Sequence, residues 1–232
     1  MNGNVIFVST NNQNKKVNYK QIERIFYMKQ IFSALIFGAL SLCASSAFAQ
    51  VGAQADTKAL LEQLKQGGMV IVLRHGGTNA DQADIDPLNH DNVAKQRLLT
   101  DKGRADAKTL AEVFKKAHVP ISKVMSSKLY RAIETARIVS GKDPEALIDV
   151  NEGGLVVSPN ENNRRAKAFR DMAAVTPAKG TNTFIVSHKP NIIDAFCKDW
   201  FEIKEGEASI FKSDGNGKAT LVALVLIADW SK

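Results

Sequence analysis

Apolar residues fall along this chain in two alternating rhythms. Met69–Leu73 is a continuous apolar run, mostly β-branched, that leads into Arg74-His75-Gly76. Such a run predicts a buried strand whose C-terminal end is polar. A short helix, Thr57–Gln66, is predicted ahead of it and is stopped by Gly67-Gly68. Two further short apolar runs, Val124-Met125 and Thr183–Ser187, predict strands ending at Ser126-Ser127 and at His188. Between them the spacing becomes helical. Thr100 can cap a helix that carries Ala107, Leu110, Ala111, Phe114 and Ala117 on one face, with Pro120 beyond its end. Leu129, Ala132, Ile133 and Ala136 line another helix, with Gly141 as its stop. Ala146–Val150 predicts a peripheral strand leading to Asn151-Glu152-Gly153-Gly154, and Asn162–Val175 and Ile192–Trp200 predict helices. Ala208–Lys212 and Thr220–Ile227 predict a hairpin across Asp214-Gly215-Asn216-Gly217. Strands alternating with helices imply an α/β fold, a three-layer α/β/α sandwich with a mostly parallel central sheet and a C-terminal β-hairpin.

The N-terminus follows another pattern. Met28-Lys29 precedes an apolar run from Ile31 to Leu42, then small residues ending in Ala47-Phe48-Ala49. This predicts a secretory signal peptide at 28–49, cleaved before Gln50. The apolar run is short of the ~20 residues that a membrane span needs, so no stable membrane insertion is expected after cleavage. Residues 1–27 are polar and are expected to be a disordered tail or an extension that is not part of the native protein, with Met28 as the start. The domain is then 50–232, and the protein is expected in the periplasm or outside the cell.

Removing 1–49 takes Lys plus Arg from 31 to 26 and Asp plus Glu from 24 to 23, so the net charge falls from +7 to +3. That gives no reason to expect a nucleic-acid partner. Cys43 leaves with the signal, and Cys197 alone remains, in a helical context that reads as a small core residue. Of the four histidines, His90 and His118 read as surface residues, and no metal-ligand spacing is present. Trp200 and Trp230 read as packing residues.

The chemistry gathers at strand ends. Arg74-His75, then Ser126-Ser127 with Arg131, then Ser187-His188 each close an apolar run, and ligands of open α/β sheets bind beyond the carboxyl ends of strands. Two arginines and two histidines in one crevice suit a phosphate dianion. Guanidinium forks bind phosphate oxygens bidentately, neutral imidazole is a nucleophile near neutral pH, and a second imidazole can donate to developing negative charge. Arg131 gains nothing from the helix dipole in a first turn, which favours a ligand role. Thr78 and Asn79 can add hydrogen bonds to the phosphate or serve only as turn residues. The polar stretch 77–98 is longer than ordinary connections and is expected to select the substrate.

Four blocks in order resemble the histidine phosphatase superfamily, which contains phosphoglycerate mutases and many phosphatases. They are LRHGGTN at 73–79, LLTDKGRADA at 98–107, SSKLYRAIETA at 126–136 and FIVSHKPNI at 184–192. The resemblance implies that His75 is the nucleophile and becomes phosphorylated, and that Arg74, Arg131 and His188 hold the phosphoryl oxygens. Water then releases phosphate, with no metal or organic cofactor. Many relatives place a glutamate general acid after the third strand, where Glu152 stands here. Glu161, Asp81, Asp84 and Asp86 are the rivals. The expected ligand is a small phosphorylated substrate or an envelope phosphate. The alternative is a non-catalytic phosphate- or sugar-phosphate-binding protein using the same pocket, and a mutase is a third reading.

Overall fold

The computed structural model describes residues 56–153, 157–197, 200 and 202–230. The predicted extension at 1–27, the signal peptide at 28–49 and its cleavage point lie outside the described residues. Among the described residues, no helix is long and apolar enough to cross a membrane.

The chain runs α1 (Thr57–Gln66), β1 (Met69–Arg74), α2 (Asp101–Lys116), β2 (Ile121–Ser126), α3 (Tyr130–Ser140), β3 (Glu145–Ala146), α4 (Pro159–Ala174), β4 (Asn182–Ser187), α5 (Lys189–Phe196), β5 (Ala208–Ser213) and β6 (Ala219–Val225). The six strands form one sheet in the order β3-β2-β4-β1-β5-β6. The pairs β1–β4, β2–β4 and β2–β3 are parallel, while β1–β5 and β5–β6 are antiparallel. This is the expected α/β architecture, with a mostly parallel sheet closed on one side by the hairpin.

Strand alternation sends neighbouring residues of β1 into different layers. Ile71 and Leu73 pack in a core with Leu64 of α1, Leu110 and Phe114 of α2, and Ala132 and Ala136 of α3. Val70 and Val72 face the opposite core, with Phe169 and Ala173 of α4 and Ile192 of α5. A strand buried on both faces has no polar position to spare, which is why β1 reads as an unbroken apolar run.

Three elements differ from the sequence reading. The peripheral strand predicted at Ala146–Val150 is only two residues long, because after Leu147 donates to the carbonyl of Ser126 the chain turns into a 3-10 segment, Ile148–Val150. Strand β2 begins at Ile121, earlier than predicted, since its exposed Ser122 and Lys123 break the apolar pattern. Helix α5 begins directly after His188 and ends at Cys197, whose φ of 87° stops it short of Trp200. Cys197 is half-buried at that helix end, packed against the core that holds Phe169 and Ile192. Trp200 and Trp230 are buried in the two cores, as packing residues.

Candidate active site

Strands β1 and β4 lie side by side, with Arg74 opposite Ser187 in register. The His75 N–H extends the ladder by donating to the Ser187 carbonyl at 3.0 Å. Each strand runs directly into a histidine, and the two rings sit 5.1 Å apart between centroids. The Nδ1–H of His75 donates to the Gly76 carbonyl at 2.8 Å, which leaves the lone pair on Nε2. Burial holds the His75 pKa down to about 3, and Arg131, Arg74 and Arg97 push it the same way, so the ring is neutral. Burial and then Arg131 drive His188 well below its ordinary value as well.

The turn after His75 is built from several directions. Thr135 of α3 accepts from the Gly76 N–H at 3.1 Å and donates to the Arg131 carbonyl at 2.7 Å. Gly103 lies under this turn, where a Cβ would stand 2.1 Å from the Gly77 carbonyl oxygen. Only glycine permits this crossing, and that explains a glycine in the first turn of α2. Thr100 caps that helix by accepting from Gly103 at 2.9 Å, while its own N–H donates to the Gly77 carbonyl at 2.9 Å. The Thr78 hydroxyl donates to Glu205 at 2.6 Å and its N–H donates to the same carboxylate at 3.1 Å. Glu205 also lies 3.6 Å from Arg74, whose Nη1 donates to the Ile203 carbonyl at 2.7 Å.

The side chain of Arg131, the second residue of α3, is fully buried. Its Nη1 donates to Asp84 at 3.0 Å and its Nη2 donates to Glu152. The other Glu152 oxygen lies 3.9 Å from Nδ1 of His188. A cavity of about 390 Å³ opens beside His75, lined by Arg74, Arg97 and Glu152 and, from α5, by Lys189, Pro190, Ile193 and Asp194.

One observation draws these groups together. Among the described residues, six buried side-chain nitrogen or oxygen atoms have no hydrogen-bond partner, and four of them are Arg74 Nε, Arg97 Nε, Arg131 Nε and His188 Nδ1. Buried polar groups are normally paired, and unpaired ones cost about 1–3 kcal/mol or more. Three of these nitrogens belong to arginines whose charges act on His75 and the fourth to the imidazole beside it, an arrangement that suits an anion.

His75, Arg74, Arg131, His188 and Glu152 are therefore brought together. Thr78 is committed to Glu205, and Asn79 is exposed in a turn, where its side chain accepts from the Asp81 N–H. Neither lines the cavity, whose walls also leave out the fully buried Arg131 and His188. Of the rival acids, Glu161 is engaged by Arg164 and Arg165, which lower its pKa to about 2, and Asp86 accepts from Asn92. Asp84 reaches Arg131. His118 is exposed, whereas His90 is half-buried, with Nε2 2.8 Å from the Asn151 amide. Sequence reasoning missed Arg97, Thr135 and Glu205. Arg97 had a signal, an arginine directly before the Leu98-Leu99-Thr100 helix entry; Glu205 had none. Among the described residues, no group of three or more His, Cys, Asp or Glu is arranged to hold a metal ion.

Residues 70–153 match the histidine phosphatase superfamily (branch 1). That stretch carries β1, the long loop, α2, β2, α3 and Glu152. Among solved structures, a point mutant of phosphoserine phosphatase from Entamoeba histolytica in complex with phosphoserine is similar at a TM-score of 0.52 and 16% identity, over 69% of this chain and 98% of that chain. The protein histidine phosphatase SixA complexed with tungstate gives 0.48 and 19% identity over 69% and 98% of the two chains. The alpha-ribazole phosphatase from Shigella flexneri gives 0.46 and 20% over 67% and 95%. No curated protein sequence matches the chain. Over 70–153, the stretch that carries His75, Arg131 and Glu152, the chain is thus similar to the histidine phosphatase superfamily (branch 1).

Proposed function

We propose that this protein is an exported phosphomonoester hydrolase working through a phosphohistidine on His75. The observation that carries this reading is the set of four unpartnered buried nitrogens, three on arginines whose charges act on His75 and one on the imidazole beside it. A phosphoryl group seated there accepts from Arg74, Arg97, Arg131 and His188, the kind of positioned electrostatic stabilisation that dominates phosphoryl transfer. The Nε2 lone pair of His75 forms a bond to phosphorus as the bond to the leaving oxygen breaks. That oxygen takes a proton from Glu152. A water molecule then attacks the phosphohistidine, giving its proton to Glu152, and the N–P bond breaks to release inorganic phosphate and neutral His75.

The half-apolar wall from α5, with Pro190 and Ile193 beside Lys189 and Asp194, leaves room for a small polar leaving group. Action outside the cytoplasm is supported by the sequence of residues 28–49 alone, and intact-mass measurement of the exported protein tests it by asking for a start at Gln50.

The catalytic test is hydrolysis of p-nitrophenyl phosphate together with acid-labile labelling of the enzyme. His75→Ala is expected to abolish both in a folded protein; equal activity in variant and wild type would sink the reading. Glu152→Gln is expected to slow an alkyl phosphate by ~100-fold or more and p-nitrophenyl phosphate far less, because only a poor leaving group needs the proton. An equal effect on both removes Glu152 from the acid role.

A further inference from the structure

The loop 77–98 is zipped across itself. Gln82 donates through Nε2 to the Gln96 carbonyl at 2.8 Å and accepts from the Leu98 N–H at 3.1 Å. Ile85 donates from its backbone to the Lys95 carbonyl at 3.0 Å. Asp84 stands between these rungs, so its backbone is held from both sides. Its side chain is one-fifth exposed, and a single oxygen, Oδ1, accepts from the Arg97 backbone N–H at 2.8 Å and from Arg131 Nη1 at 3.0 Å. Arg97 returns to the same group, since its carbonyl lies 3.5 Å from Arg131 Nη1. One carboxylate thus joins two arginines, one through its backbone and one through its side chain.

This geometry has a direct consequence for the anion seat. Arg131 has a wholly buried side chain, where charge-assisted hydrogen bonds are strong and misplacement is expensive. Its Nη1 is directed by Asp84 and its Nη2 by Glu152, which leaves Nε as the unpaired donor. The same Asp84 oxygen fixes the backbone from which the Arg97 side chain enters the cavity wall. Glu152 belongs to that wall, and Asp84 is not among its residues.

Resting on the phosphatase reading above, we propose that Asp84 is a positioning residue: it orients Arg97 and Arg131 toward one phosphoryl group and thereby ties the substrate-facing loop to the anion seat. It donates no proton and touches no substrate.

The test measures kcat and KM for p-nitrophenyl phosphate, and inhibition by inorganic phosphate and by orthovanadate, in wild type, Asp84→Ala and Asp84→Asn. Loss of the carboxylate is expected to raise KM and both inhibition constants by ~10-fold or more, with a smaller fall in kcat. Asp84→Asn keeps an oxygen acceptor for both donors and is expected to recover most of the loss, a rescue that a general acid would not show. Unchanged KM and inhibition constants in a folded Asp84→Ala protein overturn the proposal. Tighter phosphate binding overturns it too, because the carboxylate would then be a competitor for Arg131. A fall confined to kcat does the same. If Asp84→Ala does not fold, Asp84→Glu decides on the same KM and inhibition constants. A wild-type protein that neither hydrolyses the ester nor binds phosphate removes the phosphatase reading and this inference together; an active wild type with an unaltered variant removes Asp84 alone.

Discussion

The hydroxyl of Ser127 lies 2.6 Å from Nε2 of His188 and accepts from the Leu129 N–H at 3.1 Å. The hydroxyl keeps a second lone pair as well as its proton, so it can accept from an Nε2–H or donate to Nε2, and we take it as the donor. Nε2 is then the acceptor, and the proton of neutral His188 sits on Nδ1, the unpaired atom of the anion seat. In that arrangement Ser127 selects the tautomer that turns His188 into a donor toward phosphate.

Ser127→Ala removes that selection while leaving the ring in place. We expect kcat for p-nitrophenyl phosphate to fall by ~10-fold, in line with the loss of one oriented hydrogen bond, and Ser127→Thr to restore most of it. Unaltered kcat in a folded Ser127→Ala protein would show that the tautomer is set elsewhere.

Acid should weaken this protein through its histidines. His75 has a folded pKa of about 3 against an ordinary 6.5, and His188 is displaced the same way by burial. Between those values the unfolded chain binds protons that the folded chain does not, so stability falls as pH drops below the unfolded value and the loss is complete once pH passes the folded one. Each histidine adds a slope of at most about 1.4 kcal/mol per pH unit. Urea midpoints taken at about pH 7 and about pH 4.5 should differ clearly in wild type and less in His75→Gln. Equal pH sensitivity in the two proteins would show that His75 does not titrate in this way.

Gly103→Ala should damage both stability and turnover. Its Cβ would meet the Gly77 carbonyl oxygen at 2.1 Å, and backbone cannot yield as a flexible side chain does. Overpacking of this kind costs about 1–3 kcal/mol, and Tm falls by about 2–4 °C for each kcal/mol in a domain of this size. Because the displaced segment follows His75 directly, kcat should fall even at temperatures where the variant is fully folded. A variant with wild-type Tm and kcat would contradict the close crossing.

The fold was readable where burial is two-sided or helical spacing is long. Strand β1 and the α2 face with Leu110 and Phe114 stand as predicted, because their patterns have one interpretation. The Ala146–Val150 segment misled, since an apolar run of that length fits a strand or a 3-10 turn equally well, and the hydrogen bond from Leu147 to Ser126 decides it. In the site, His75, His188 and Arg131 were legible because each stands at or just past the end of an apolar run. Arg97, Glu205 and the double role of the Asp84 oxygen were not. They depend on loops folding back on distant residues, and no periodicity encodes that.

The pairing of β1 with β4 has one more implication. Adjacent strands lie about 4.8 Å apart, and the rings of His75 and His188 stand at nearly this spacing, 5.1 Å. The sheet acts as a ruler for the two imidazoles. Substitutions on the α5 wall can reshape what the cavity admits while the spacing of the two histidines stays the same. A one-residue change of strand register would alter it, and that would flip Ile71 and Leu73 out of their core. On the α5 wall, substrate choice is thereby separable from the spacing of the two histidines, whereas the 77–98 loop serves both the cavity wall and Arg131 through Asp84 and Arg97.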